Sequence, residues 1–355
     1  MKKLLAHDSV NTVQSIKKYY KLEQEHPSNP LLDEMFEKHK PKHVILMCLD
    51  GLGYSFLNHT PYFNENVLEK VDTVFPPTTA CATITLQTGL YPCEHGWIGW
   101  SQYFKGFDDC IELFTGKSFY TDDVYDYNEV IKDIKFDAFY NHIENSKIYF
   151  PGADKFYPNN YETIKAQFDE VKKQINENEN TFSYMYWNEP DGILHREGSK
   201  SQNVINLIKE IESQVKEGIS LLEDVLVIVT ADHGHIDNEI IEIRDHPEIL
   251  ECLVTKPSIE PRFTNFFIKE GYEKKFIDAI NPFLDKFDLY SKEEFLNLEF
   301  FNRGVHHFKI NEFLGDYVLI ANDKYILNLK DKFYASAHAG CTEIEMEIPL
   351  IVIAK

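Results

Sequence analysis

The sequence predicts an α/β protein built on a mostly parallel central sheet, and two observations carry that expectation. Three short apolar runs end in acidic or imidazole residues: HVILMCLD at 43–50, TFSYMYWNEPD at 181–191 and DVLVIVTADHG at 224–234. That is the form of a buried parallel strand running into a loop. Between the runs, over Tyr161 to Asn178 and Ser201 to Leu222, apolar residues recur every three or four positions, as in helices that cross over between parallel strands. In open α/β sheets ligands gather beyond the carboxyl ends of the strands, so distant segments can meet in one crevice.

Taken in chain order, residues 1–40 should form a helical segment packed on the core, with two helices interrupted by the turn-forming HPSNP at His26 to Pro30. In FPPTTACATITLQTG, helix character runs from about Ala80 to Gln87 and stops at Gly89. The core is expected to comprise 41–250 and 312–355, with the sheet resuming at Tyr317 to Asn322 and closing at Pro349 to Lys355. Residues 251–311 mix short apolar runs with charged helices and are expected to form a smaller insert or cap over the substrate.

The 355 residues carry 36 Lys and Arg against 58 Asp and Glu, a formal charge of -22. This disfavours stable complexes with nucleic acid or an anionic membrane face and leaves a small phosphorylated substrate, whose charge bound metal would have to meet. MKKLLAHDSVNTVQ lacks an apolar stretch of signal-peptide length, and no run approaches the roughly 18 apolar residues of a membrane span. A soluble, cytoplasmic protein is expected. Its six cysteines lie far apart with no C-x-x-C pair, which argues against a thiolate zinc cluster or a disulfide scaffold.

Four segments carry metal-ligand chemistry. TADHGH places Asp232 and His233 side by side after a strand, beside a flexible Gly234. In EPDGILH, Asp191 and His195 are four apart and share a face if the segment is helical. Asp50 follows a buried strand, where an isolated carboxylate would need a counter-charge. SAHAGC sets His338 among small residues shortly before the last strand. Thr79, at the start of a helix, would meet free N–H groups that favour phosphate, and its hydroxyl would serve equally as a cap. The residues alone leave Thr78, Thr83 and Thr85 as alternative nucleophiles. Trp97, Trp100 and Tyr54 are candidates for a pocket wall, with core packing as the ordinary alternative.

The chain resembles the alkaline phosphatase superfamily, and within it the type I phosphodiesterase/nucleotide pyrophosphatase branch. The matching pieces are LDGLG at 49–53, FPPTTACATITLQTGLYPCEHG at 75–96, EPDGILH at 189–195, TADHGH at 230–235 and HAGCTEIEMEIPLIV at 338–352. The resemblance implies a central sheet with helices on both faces and two divalent ions. Asp191, His195 and His338 would hold one, and Asp50, Asp232, His233 and the Thr79 oxygen the other. Mixed nitrogen and carboxylate donors favour Zn2+, with Mn2+ or Fe2+ as alternatives. It further implies hydrolysis of a phosphodiester or pyrophosphate, with nucleotide-like substrates among the candidates, through a covalent phosphoryl intermediate on Thr79. Phosphomonoester or phosphonate hydrolysis at the same centre is the alternative, and a noncatalytic phosphate-binding protein is a third. Two departures matter. Trp100 stands where many members of the branch carry an asparagine that binds a nonbridging oxygen, and no arginine is identifiable beside Thr79, leaving Arg196, Arg244 and Arg262 as candidates.

Overall fold

The computed structural model describes residues 2–151, 161–330 and 332–355. The strand His43–Leu49 pairs in parallel with Thr181–Trp187 on one side and Val225–Thr230 on the other. Every residue of His43–Leu49 and Val225–Thr230 is buried. Because alternate side chains point to opposite faces, such burial requires cover on both faces of the sheet. Ser146–Tyr149 extends the parallel array beyond Thr181–Trp187, while the last strand, Glu347–Ala354, lies antiparallel between Val225–Thr230 and Val67–Asp72. These six strands form the expected central sheet. Its register positions the site: Leu49 lies opposite Trp187 and Cys48 opposite Thr230, so three strands end nearly level and release Asp50, Asp191 and Asp232 at the same end.

The helices arise where apolar periodicity places them. Ile164–Glu177 and Gln202–Ser220 start at Thr163 and Ser201, whose hydroxyls accept from Ala166 N and Asn203 N, and the two helices pack on each other. At the N-terminus, Ser9–Tyr19 and Pro30–His39 are capped by the side chains of Asp8 and Asn29. Ser9–Tyr19 packs against the helix Thr79–Thr88, and Gln14 Nε2 donates to the Gly89 carbonyl at 2.8 Å. The N-terminal segment therefore braces the element that carries Thr79.

A second, antiparallel six-stranded sheet runs in the order Phe287–Ser291, Tyr317–Ala321, Phe263–Phe266, Ser258–Glu260, Ser101–Phe104 and Asp109–Glu112. This corrects the expectation that Tyr317 to Asn322 returns to the central sheet. Val318 and Ile320 enter one hydrophobic core while Leu319 and Ala321 enter another, so the strand is apolar on both sides. A short continuous apolar run reads the same in either sheet. The second sheet also draws two strands from 101–112, so it is not confined to the late segment 251–311.

One buried ion pair fastens this sheet to the core. Arg262 and Glu345 are fully buried, with Nε–Oε1 at 2.6 Å and Nη2–Oε2 at 2.8 Å. The remaining Arg262 donors reach the Tyr325 and Asp323 carbonyls at 2.6 and 2.8 Å. Such bidentate geometry offsets the cost of removing both charges from water, and losing one partner strands the other. Arg262→Ala should lower the unfolding free energy by about 3–5 kcal/mol. Urea unfolding measures this, and a loss under about 1 kcal/mol would show that Glu345 finds other compensation.

Candidate metal centre

The three carboxylates expected at the strand ends converge. Asp232 uses Oδ1 to accept the N–H groups of Gly51 and His233, both at 3.0 Å, which leaves its buried Oδ2 without a hydrogen-bond partner. Asp50 accepts the Tyr186 hydroxyl on Oδ2, and its buried Oδ1 likewise has no partner. Burial first, and then the charges of Asp232 and Asp191, push the Asp50 carboxyl well above the ordinary carboxylate range. Orphaned carboxylate oxygens this close together call for a cation.

Four imidazoles complete the cluster, and their orientations follow from what their Nδ1 atoms meet. His195 Nδ1 faces the Ser336 carbonyl at 2.9 Å, His233 Nδ1 the Gly234 carbonyl at 3.2 Å and His338 Nδ1 the Pro77 carbonyl at 3.1 Å. A carbonyl only accepts, so each Nδ1 is the donor, and in the neutral imidazole that a metal requires each Nε2 keeps a lone pair turned inward. His195 Nε2 lies 3.3 Å and His338 Nε2 3.7 Å from Asp191 Oδ1, while His233 Nε2 lies 3.4 Å from Asp50 Oδ1 and 3.5 Å from Asp232 Oδ2. The helix Asp191–Glu197 puts Asp191 and His195 on one face, as their spacing predicts. Lone pairs and carboxylates facing one another across a buried gap fit divalent cations with mixed nitrogen and oxygen donors.

His235 is the member that the motif reading passed over. Its Nε2 lies 2.7 Å from Asp191 Oδ1 and its Nδ1 3.1 Å from Ser336 Oγ, whose own proton goes to the Leu194 carbonyl. The signal was present: in an extended segment residues two apart share a side, so His235 follows His233 inward. Asp191, His195, His235 and His338 form one four-residue group able to hold a metal, and Asp50, Asp191 and His233 another, so Asp191 belongs to both. Packing behind them is tight, since a Cβ on Gly53 would come 2.7 Å from Gly234 Cα and one on Gly234 2.0 Å from the Ile344 carbonyl oxygen.

Thr79 is the first residue of its helix, with Oγ1 3.2 Å from His233 Nε2. Thr78, not Thr79, is the N-cap residue, and its hydroxyl makes no capping bond. The competing hydroxyls are engaged elsewhere. Thr78 Oγ1 donates to Glu260 Oε1, Thr83 Oγ1 to the Thr79 carbonyl and Thr85 Oγ1 to the Leu90 carbonyl.

Thr79 borders two cavities. One, of about 500 Å³, has walls from Trp97, Trp100, Phe114, Phe136 and Tyr186, with Gln87 and Asn188 bringing side-chain amides. The other, of about 280 Å³, is bordered by Asp191, His195, His338, Tyr334, Trp100 and Glu260. Trp97 and Trp100 thus serve as wall, although Trp97 is also core. Tyr54 borders neither cavity and sits under Lys70 instead. None of the three candidate arginines borders either cavity: Arg196 is exposed beside Glu189, Arg244 lies 3.6 Å from Glu242, and Arg262 is committed to Glu345. All six cysteines are free and buried, and burial, with a smaller push from Glu260, raises the Cys81 thiol well above its usual range. Among the described residues no helix is long and apolar enough to cross a membrane.

Comparison with known proteins adds to this geometry. The family model for type I phosphodiesterase / nucleotide pyrophosphatase matches residues 44–334. The bis(5'-adenosyl)-triphosphatases ENPP4 of Pongo abelii and Homo sapiens are 27% and 26% identical over 225 residues, covering 55% of this chain and 48% of theirs. The chain therefore spans about half the length of the curated relatives it matches. Murine ectonucleotide pyrophosphatase / phosphodiesterase 5, solved as an inactive variant in complex with AMP, superposes with a TM-score of 0.64 at 20% identity. That match covers 88% of this chain and 87% of the murine one. The human counterpart gives 0.65 at 19%, again over 88% of this chain and 87% of its own. At such identities the likeness establishes the fold.

The position of His235 can be tested directly. Zinc affinity, measured by competition with a chromogenic chelator, should fall about 10- to 100-fold in His235→Ala, the usual effect of losing a group that orients a ligand. Unchanged affinity would remove His235 from the centre.

Proposed function

Because the chain belongs to the type I phosphodiesterase / nucleotide pyrophosphatase family, we propose that it hydrolyses phosphodiester or pyrophosphate bonds of a small, nucleotide-like substrate with Thr79 as nucleophile. The observation that carries the reading is the convergence of Thr79 Oγ1 with inward-facing imidazole lone pairs and unpartnered carboxylate oxygens. In this reading Asp191, His195 and His338, backed by His235, hold one divalent ion, and Asp50, Asp232, His233 and Thr79 Oγ1 hold the other. Zinc suits this mixture of imidazole and carboxylate better than magnesium, which prefers an all-oxygen shell; manganese and iron(II) are the alternatives. Bound cations would supply the positive charge that favours the Thr79 alkoxide and offsets charge on the phosphoryl and leaving oxygens.

The protein's own groups account for the rest. Thr79 Oγ1 attacks phosphorus, the bond to the leaving alcohol or phosphate breaks, and water then cleaves the Thr79–phosphorus adduct, which still carries the substrate's other substituent. The N-terminus of Thr79–Thr88 offers free N–H groups and the positive end of a helix dipole to the phosphoryl oxygens. An aromatic-walled cavity of about 500 Å³ beside the nucleophile suits a stacked base, in keeping with the adenosine-containing substrate in the names of the ENPP4 relatives. Trp100 offers a ring and not an amide at that wall, so Gln87 and Asn188 are the amides placed to replace the one expected there. The six free, buried cysteines suit a reducing compartment, which supports a cytoplasmic location.

Two experiments bear on this reading. In metal-loaded protein Thr79→Ala should lower turnover by about a thousandfold or more with metal content retained, because the attacking atom is gone while no capping bond is lost. Near-normal turnover, or a trapped phosphoryl adduct mapping to another residue, would exclude Thr79. Separately, kcat/KM for a diester should exceed that for a monoester with the same leaving group, since neither cavity has an arginine in its wall. A larger monoester value would move phosphomonoester hydrolysis to first place.

A further inference from the structure

Glu260 is a buried carboxylate that the reaction described above does not use. It ends the strand Ser258–Glu260 of the second sheet, is only 7% exposed, and borders the smaller cavity together with Thr79, Asp191, His195 and His338. Both of its side-chain hydrogen bonds fall on one oxygen: Oε1 accepts Thr78 Oγ1 at 2.7 Å and Trp100 N at 2.8 Å. Among the described residues Oε2 has no hydrogen-bond partner and the carboxylate has no ion pair. It is the oxygen left to face the cavity. The two lysines that also border this cavity are engaged by other groups of its wall. Lys330 lies 3.5 Å from Glu112 and over the Phe119 ring, while Lys332 is exposed over the Tyr334 ring.

We propose that Glu260 limits the charge of the phosphoryl group accepted beside Thr79, admitting a monoanionic diester or internal pyrophosphate linkage and rejecting a dianionic terminal phosphate. This rests on the reading of Thr79 as nucleophile, and it names the residue behind the substrate preference. Two divalent ions would balance three carboxylates and the Thr79 alkoxide, leaving the centre near neutral. Glu260 then adds a fixed negative charge in the wall of a cavity that Thr79 also borders. Burial lifts the Glu260 carboxyl to about 7 even with Thr78 and Trp100 donating to Oε1, and divalent cations bound nearby would favour its ionised form. A second charge on the substrate meets that field in a confined, partly dehydrated space, where like-charge repulsion is weakly screened.

Glu260→Gln tests the charge alone, because the amide oxygen can still accept from Thr78 and Trp100. The zinc-loaded full chain and its variant would be compared on bis(4-nitrophenyl) phosphate and 4-nitrophenyl phosphate, which share a leaving group. Inorganic phosphate binding would be measured by calorimetry on the same samples. The expected result is a monoester-to-diester ratio of kcat/KM raised about tenfold or more, with phosphate bound tighter by a similar factor and zinc content unchanged. An unmoved ratio together with unmoved phosphate affinity would overturn the proposal. So would parallel loss on both substrates, which would reduce Glu260 to a holder of Thr78. A parent protein inert toward both esters would instead sink the hydrolase reading, and the phosphate measurement would still decide the role of Glu260.

Discussion

The Arg262–Glu345 pair is the fastening on which the site depends. Glu345 belongs to the short helix Glu343–Met346, and its backbone carbonyl accepts the Gly234 N–H at 2.8 Å while its carboxylate accepts the Gly340 N–H at 2.8 Å. Gly234 follows His233, and Gly340 lies two residues beyond His338. Glu345 thus fixes the backbone beside His233 through its carbonyl and near His338 through its carboxylate, and, through Arg262, the strand turn that carries Glu260. A guanidinium suits this post because its planar fork meets both carboxylate oxygens and two carbonyls together. A residue that the sequence offers as a phosphate clamp serves as an internal tie.

The central sheet contributes through register. Level strand ends bring acidic residues from positions 50, 191 and 232 to one place, and the loops after them need only short excursions to converge. The second sheet contributes a wall, since Trp100 and Glu260 both come from it or its margin and border a cavity that Thr79 also borders. Core and wall meet at the nucleophile, whose helix Thr79–Thr88 packs into the same hydrophobic cluster as strands of the second sheet.

Much of this was legible in the residues. Buried strands announce themselves through continuous apolar runs, and Asp50, Asp191 and Asp232 were visible because each follows such a run. The Asp191–His195 pair was readable because a helix sets its own spacing. Tyr317–Ala321 was placed in the wrong sheet because an apolar run declares burial but not its partner. Arg262 was misjudged for a related reason: whether a cation faces a cavity or a buried carboxylate depends on Glu345, a residue far away in the chain. Glu260 carried no local signal, since its role arises only where two sheets meet.

The back-to-back packing of Gly53 and Gly234 has a consequence for how variation at this centre would be interpreted. Neither residue offers an atom to a cation or a substrate, yet any side chain at either would collide with the other's backbone or with the Ile344 carbonyl. In a saturation mutagenesis scan scored by activity, both positions would be as intolerant as Asp50 or His233. A map of intolerance would therefore overcount the chemical groups, and only the distance at which a missing hydrogen atom becomes a clash separates the steric members from the reactive ones.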